Sequence, residues 1–253
     1  MRIPLLLLFL PGGIGARTLF LGNSYMYYND LDKIYCDVVN SAQPDSPVVA
    51  KAVAKPNYWL RQHVADGQPP EGKFTHVILQ EQSQTPGLLD DDDELIQSKA
   101  ACRKLAASAC AKGGAKCIVL LQTWGRRDGD PTYPDLFSDF ESMQRRLTAG
   151  YKELAEEVRA ECSADVTVRI APVGEAFGVI RQSGDDALFR DLYVTEDGAH
   201  PALAGSYLAA CVLAHTLHGL RPVDIAYVPP MLTESVAEKL RAAAELACAF
   251  DQT

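Results

Sequence analysis

The 253-residue sequence lacks the features that define several large classes of protein. It contains no apolar run approaching the ~20 residues that cross a bilayer, so we expect no membrane span. Lys and Arg number 24 against 33 Asp and Glu, which gives a formal net charge of −9, and no basic cluster is present. Because nucleic-acid binding needs a basic surface that displaces counterions, we expect no DNA or RNA partner.

Cysteine is present, but not in a pattern typical of a metal or redox site. The seven cysteines form an odd number, and none of them belongs to a C-x-x-C pair. Zinc sites normally use such pairs, so the sequence predicts no metal site. We expect most of these cysteines to be buried as small apolar side chains, and we expect no cofactor.

The N-terminus begins with an apolar segment behind a single basic residue, Arg2. Residues 3–10 are apolar, and Pro-Gly-Gly and further small residues follow as far as Ala16. This pattern predicts a secretory signal peptide over residues 1–16, with an apolar strand as the alternative. The prediction implies one mature domain over residues 17–253 that is secreted or periplasmic. Without the leader, the alternative location is cytoplasmic.

Short apolar runs alternate with longer amphipathic segments along the rest of the chain. This alternation predicts a three-layer α/β sandwich around a five-stranded parallel sheet of the doubly wound type. The predicted strands are residues 18–21, 48–54, 74–80, 117–122 and 166–171. The predicted helices are residues 31–41, 58–64, 94–112, 137–160, 202–217 and 234–248. In such sheets, ligand sites lie beyond the carboxyl ends of the strands, so the loops there are where chemistry is expected.

A serine follows the first predicted strand, in the segment GNSYMYYND at residues 22–30. Ser24 lies where the strand gives way to a helix, which would expose its hydroxyl near backbone N–H groups able to bind an oxyanion. The alternative is that Ser24 only caps the helix.

An acid and an imidazole precede a late helix, in the segment EDGAHP at residues 196–201. The three-residue spacing of Asp197 and His200 lets the carboxylate bind one ring nitrogen while the other faces outward, as in a general base for a serine. The alternative is a surface turn with a capping Asp.

Amide side chains end the third predicted strand, in the segment LQEQSQ at residues 79–84. Gln80 and Gln82 would place N–H donors beside the Ser24 loop. The alternative is that this polar segment only leads the chain from the strand into solvent. For Glu81 we expect a solvated carboxylate. Trp124 and Arg126 follow the fourth strand in a long loop and are expected to line a pocket for a polar or sugar-like ester.

These three segments, in this order, resemble the SGNH (GDSL-type) hydrolases, within a branch classed as a domain of unknown function. The resemblance covers the chain from Thr18 to about Leu217. It implies that Ser24 is the nucleophile, His200 the general base and Asp197 its orienting partner. It also implies an oxyanion hole built from the Ser24 N–H, a backbone N–H near a glycine of the second block, and a side-chain amide of the third block.

The sequence departs from the general pattern of that family in two blocks. The second block, AKPNYWLRQH at residues 54–63, has no glycine, so Asn57 or its neighbouring backbone is the candidate donor. The third block lacks the usual Gly-x-Asn-Asp, and Gln82 is the first candidate for its amide, followed by Gln80.

The function expected from this resemblance is hydrolysis of a small or carbohydrate-linked ester, such as an O-acetyl ester, through an acyl-enzyme. A second hypothesis is a catalytically inactive carbohydrate-binding protein with the same fold. A third, a flavodoxin-like phosphate or flavin binder, is disfavoured because the loop at residues 22–30 lacks the density of Gly, Ser and Thr that wraps phosphate.

Overall fold

The five strands form one parallel sheet in the order β2-β1-β3-β4-β5. The computed structural model describes residues 15–70, 72 and 74–250, with Gly113 and Phe250 described in their backbone only. The strands are β1 (Arg17–Gly22), β2 (Val49–Ala54), β3 (His76–Leu79), β4 (Cys117–Leu121) and β5 (Thr167–Ala171). The predicted five-stranded parallel sheet is confirmed, and each strand agrees with its predicted range to within two residues. Residues 1–14 of the predicted leader lie outside the described residues.

The inner strands carry continuous apolar runs because helices cover both faces of the sheet. In β1, Leu19, Phe20 and Leu21 are fully buried, and all five residues of β4 are buried. A parallel sheet covered on both sides favours such continuous apolar runs over alternation of apolar and polar residues. These runs are therefore the signal that identified the strands in the sequence.

The helices pack in two layers, which completes the predicted sandwich. The helices are α1 (Ser24–Tyr27), α2 (Leu31–Ala42), α3 (Leu60–Ala65), α4 (Asp93–Gly113), α5 (Phe140–Glu161), α6 (Val173–Gln182), α7 (Asp186–Asp191), α8 (Leu203–His218) and α9 (Glu234–Phe250). Helices α2, α6, α8 and α9 share the apolar cluster on one face of the sheet, and α3, α4 and α5 share the cluster on the other. None of the helices in the described part of the chain combines the length and the apolar composition that crossing a bilayer requires.

Local signals set the ends of the predicted helices. Helix α4 begins where the Asp92 side chain accepts a hydrogen bond from the N–H of Glu94 at 2.8 Å, and it ends at Gly114, which adopts φ +66°. An N-cap carboxylate and a left-handed glycine are the usual termini of a helix. The sequence did not predict α6, whose Gly174 is an unfavourable helix residue. The structure requires this glycine, since a Cβ there would lie 2.4 Å from the Thr123 carbonyl oxygen.

The strand order fixes where a site can form. Strand β1 pairs with β2 on one side and with β3 on the other, while α2 and α3 cross to opposite faces of the sheet. The boundary between β1 and β3 is therefore the topological switch point, where the chain segments diverge and leave a crevice. The segments that begin at Asn23 and at Gln80 both leave the sheet at this crevice.

Candidate active site

The turn after β1 holds Ser24 in the first turn of α1. Asn23, not Ser24, caps this helix, since its Oδ1 accepts a hydrogen bond from the Tyr25 N–H at 3.1 Å. A Cβ at Gly22 would lie 2.5 Å from Gln80 Oε1, so the tight turn needs glycine at this position. The alternative prediction, that Ser24 only caps the helix, is therefore wrong, because Asn23 is the cap. The Ser24 hydroxyl is available for other contacts.

The hydroxyl of Ser24 lies 2.8 Å from Nε2 of His200, although 176 positions separate the two residues. On the other side of the ring, His200 Nδ1 lies 2.5 Å from Asp197 Oδ2. Asp197 Oδ1 accepts hydrogen bonds from the N–H groups of Ala199 and His200, at 2.8 and 3.0 Å. Burial acts to raise the pKa of Asp197, but these hydrogen bonds hold it below its ordinary value. The carboxylate is therefore charged and fixed in its orientation toward the ring.

Aromatic rings and a left-handed residue hold the imidazole in place. The Tyr28 ring stacks on His200 at 4.4 Å between centroids and 16° between planes, and Tyr25 meets the same ring edge-on at 5.6 Å. Asn29, at φ +56°, donates from Nδ2 to the carbonyl oxygen of Pro201 at 3.0 Å. The segment after Ser24 thus supports the base directly.

The Ser24 N–H and the side-chain amide of Gln82 are the candidate oxyanion donors, and both adjoin Asn23. Gln82 Oε1 accepts hydrogen bonds from Asn23 Nδ2 at 3.2 Å and from the Ser83 N–H at 2.9 Å. These bonds direct the opposite end of the amide, Nε2, away from them. Within residues 15–70, 72 and 74–250, neither Gln82 Nε2 nor the Ser24 N–H has a hydrogen-bond partner. Both donors are therefore available to a ligand.

The structure corrects the expectation for Gln80. Its side chain is fully buried, Oε1 accepts a hydrogen bond from the Asn23 N–H at 3.0 Å, and Nε2 donates to the Glu81 carbonyl oxygen. Both ends of this amide are used inside the protein, so Gln80 shapes the turn and does not supply an oxyanion donor. Asn57 is exposed at φ +52°, one residue before Tyr58, whose carbonyl oxygen accepts from Asn23 Nδ2 at 3.0 Å.

Glu81 is buried, which corrects the expectation of a solvated carboxylate. Its Oε1 accepts from the N–H groups of Leu60 and Gln82 at 3.1 and 2.7 Å, and its Oε2 accepts from the Ser98 hydroxyl at 2.6 Å. Burial raises the pKa of Glu81. This carboxylate joins the start of α3, the segment after β3 and helix α4.

Trp124 lies inside the core, which corrects the expectation that it lines a pocket. Its ring is fully buried between Tyr25 and Phe177, with both centroid distances at 4.6 Å. Its Nε1 donates to the carbonyl oxygen of Ala199 at 3.0 Å. Trp124 therefore supports the loop that carries the base from behind.

Arg126 keeps part of its side chain at the surface near the site. Its Nη1 lies 2.8 Å from the carboxylate of Asp130, which is buried, and its Nη2 lies 3.5 Å from Gln84 Oε1. The side chain of Arg126 is 23% exposed. Of the two residues proposed for substrate contact, Arg126 is the one that a substrate could reach.

Sequence reasoning missed several residues that build the site. The sequence pattern assigned no role to Asn23 or Asn29, although Asn is a favoured helix cap and tolerates a left-handed backbone. Those preferences were the available signals. Glu81 gave no such signal, because the partners of its carboxylate come from segments distant in the chain.

Comparison with known proteins identifies the fold. No model of a known protein family matches the chain, and no curated protein matches it in sequence. Among solved structures, a DUF4886 family protein from Bacteroides uniformis is similar at 16% identity with a TM-score of 0.73, over 94% of this chain and 96% of that one. Axe2, an acetylxylan esterase from Geobacillus stearothermophilus, is similar at 16% identity with a TM-score of 0.55, over 81% and 94%.

A third similar structure is a protein described as a GDSL-like lipase, from Parabacteroides merdae, at 15% identity and a TM-score of 0.54, over 79% and 94%. The chain therefore has the SGNH/GDSL-like hydrolase fold, and its similarity extends to a structure from a DUF branch of that fold, as the sequence predicted. At these identities the likeness concerns the fold.

Proposed function

We propose that this protein is a serine esterase that hydrolyses small or carbohydrate-linked esters through an acyl-enzyme intermediate. One observation carries the proposal: the chain of hydrogen bonds from Ser24 Oγ through the His200 ring to Asp197, at 2.8 and 2.5 Å. A hydroxyl, an imidazole and a carboxylate, linked in this order, form the arrangement that activates serine as a nucleophile.

The proposed reaction has two halves that use the same groups. Ser24 Oγ attacks the ester carbonyl while His200 Nε2 accepts its proton, and the imidazolium then gives that proton to the leaving alcohol. Water attacks the acyl-enzyme in the second half, again with His200 as base. Asp197 keeps Nδ1 protonated and stabilises the charge on the ring.

The negative charge that develops on the carbonyl oxygen needs fixed donors. The Ser24 N–H and Gln82 Nε2 supply them in this proposal, and Asn57 or its neighbouring backbone remains the candidate for a third. Donors already oriented before the reaction lower the barrier because the protein does not reorganise as charge forms.

An acetyl ester on a carbohydrate is the proposed substrate class. The His200 side chain is 26% exposed and that of Asp197 is 38% exposed, so the catalytic loop lies at the surface, where a large alcohol can remain in solvent. The partly exposed guanidinium of Arg126 offers donors to sugar hydroxyls. The name of the similar structure Axe2, an acetylxylan esterase, agrees with this class.

The direct test compares Ser24→Ala with Ser46→Ala, which changes an exposed serine. We expect the Ser24 variant to lose ~10³-fold or more in kcat/KM on p-nitrophenyl acetate and acetylated xylo-oligosaccharides. The Ser46 variant should retain wild-type rates. Full activity of a folded Ser24→Ala variant would rule out the nucleophile.

The second candidate is a carbohydrate-binding protein that has this fold but no turnover. The observation that favours it is the second block without a glycine, which leaves one oxyanion donor unassigned. A fluorophosphonate probe separates the two candidates, because only an activated serine reacts with it. Stoichiometric labelling at Ser24 supports the esterase, and an unlabelled folded protein supports the binder.

Export is a further part of the proposal. We propose that residues 1–16 are removed on secretion, so that the mature chain begins next to β1. Sequencing the N-terminus of the protein recovered from the medium or periplasm tests this, with Arg17 expected as the first residue. An intact N-terminus on protein recovered from the cytoplasm would contradict it.

A further inference from the structure

We propose that Cys110 and Cys162 form a disulfide that joins the C-terminal ends of α4 and α5. Neither Cys110 nor Cys162 is part of a disulfide in this structure, so the proposed bond is a modification of the two thiols. The inference does not depend on the proposed esterase activity, since both cysteines lie on helices that cover one face of the sheet, outside the catalytic groups.

A ladder of ion pairs aligns the two helices. Lys99 Nζ lies 3.1 Å from Glu153 Oε2, and one turn further along Arg103 Nη1 lies 3.0 Å from Glu157 Oε2. The two pairs advance in the same direction along both helices, so α4 and α5 run parallel, side by side. Positions 99, 103 and 110 lie on one face of an α-helix, which carries this contact line to Cys110.

The thiols meet where this contact line ends. Cys110 lies in the last turn of α4, and Cys162 is the C-cap of α5, with its N–H bound to the Val158 carbonyl oxygen at 3.2 Å. Each of the two thiols perturbs the pKa of the other, both pack against the same apolar cluster, and both are partly exposed. Disulfide formation requires two side chains that face each other at short range, and the alignment of α4 and α5 brings this pair together.

The other cysteine of α4, Cys102, is less suited to the disulfide. Cys102 also lies on α4, but it is fully buried against the sheet, so an oxidant in solution does not reach it. Solvent reaches Cys110 and Cys162, and selective oxidation of a thiol follows such access.

The oxidation proceeds by thiol–disulfide exchange with a low-molecular-weight disulfide, RSSR. The Cys162 thiol loses its proton and its thiolate attacks RSSR, which forms a mixed disulfide and releases one RS⁻. The Cys110 thiolate then attacks the sulfur of Cys162, which releases the second RS⁻. The two protons from the cysteines end on the two released RSH, so two protein thiols are oxidised and one RSSR is reduced.

The cross-link would close a loop of about 50 residues, which restricts the unfolded chain and stabilises the folded one. That loop contains β4 and the whole of α5. Burial raises the pKa of Cys110 to about 12 and raises the pKa of Cys162, so the exchange should be faster in mildly alkaline buffer than at neutral pH.

The test uses the purified chain, incubated with oxidised glutathione in one sample and with dithiothreitol in another. Peptide mapping without reduction should recover one peptide pair joined through Cys110 and Cys162. The oxidised sample should melt ~5–15 °C above the reduced one. The Cys110→Ser and Cys162→Ser variants should lose this difference, and Cys36→Ser, which changes a partly exposed cysteine on α2, should keep it.

Two results would overturn the proposal. One is separate alkylation of Cys110 and Cys162 after incubation with oxidised glutathione. The other is a linked peptide that contains a different cysteine, such as Cys102. Ser24→Ala should show the same melting difference as the wild type, so failure of the disulfide is distinguishable from failure of the esterase proposal.

Discussion

The side chain of Asn29 reaches the backbone of Pro201, the residue that follows the candidate base. Asn29 Nδ2 donates to the Pro201 carbonyl oxygen and to Ser206 Oγ, both at 3.0 Å. This contact ties the segment after Ser24 to the loop that carries His200 and to the start of α8. It thereby sets the distance between the hydroxyl and the imidazole.

Replacing Asn29 should therefore lower turnover without removing any catalytic group. Asn29→Gly keeps the left-handed backbone accessible and deletes the two hydrogen bonds, so we expect a ~10-fold fall in kcat. Asn29→Ala should add a loss of ~1 kcal/mol in the free energy of unfolding, because alanine disfavours φ +56°. Steady-state kinetics and urea titration of both variants measure these effects. An unchanged kcat in Asn29→Gly would mean that other contacts set the distance.

The two glutamines after β3 should respond differently to truncation. Gln82→Ala removes the candidate oxyanion donor and also the acceptor of two part-buried hydrogen bonds, so kcat should fall ~10²-fold, with a smaller loss of stability than Gln80→Ala shows. Gln80→Ala leaves the buried N–H of Asn23 without its acceptor, so the free energy of unfolding should fall by ~1–3 kcal/mol. Kinetics and denaturant titration on the pair separate the two roles. A catalytic loss in Gln80→Ala with no loss of stability would reverse the assignment.

The buried carboxyl of Glu81 should make stability depend on pH. Because its pKa is raised in the folded state above the ordinary 4.5, the folded protein holds this proton more tightly than the unfolded chain does. Its contribution is complete below the unfolded pKa and is lost as pH rises through the folded pKa.

We expect the free energy of unfolding of the wild type to decline from about pH 4.5 upward relative to that of Glu81→Gln. Denaturant titration at several pH values measures this difference. Glu238→Gln, at an exposed position, is the control and should follow the wild type. Parallel pH profiles for wild type and Glu81→Gln would contradict the prediction.

Two helical glycines offer a matched test of packing. A Cβ at Gly150 in α5 would lie 1.6 Å from the Pro86 carbonyl oxygen, whereas a Cβ at Gly178 in α6 would lie 4.0 Å from the Phe140 ring, in ordinary van der Waals contact. Gly150→Ala should lower the free energy of unfolding by at least ~1–3 kcal/mol. Gly178→Ala should raise it by ~0.5–1 kcal/mol, because alanine favours helix. Thermal or urea denaturation ranks the two variants, and equal stabilities would contradict the packing argument.

The sheet was predictable because its signal is local. Each buried strand is a short apolar run between polar segments, and the positions of Ser24, Asp197 and His200 at strand or helix ends follow from that pattern. Local sequence therefore sufficed to place these three residues in the right kind of segment.

Other parts of the site depend on contacts that a local pattern does not contain. Trp124 follows a strand and was expected to line a pocket, but it stacks on Tyr25 and Phe177 inside the core. Glu81 is held by groups from three segments. Helix α6 was not predicted because Gly174 is an unfavourable helix residue in the local sequence. The reason for this glycine is its close approach to Thr123, which is distant in sequence.

The 176 positions between Ser24 and His200 have a consequence for biosynthesis. A polypeptide still emerging from the ribosome, or one clipped before His200, holds the Ser24 hydroxyl without the imidazole and should be inert. Reaction with a serine-directed probe would then show that the N-terminal and C-terminal segments have folded together. The probe would therefore measure the fraction of chains that have completed folding.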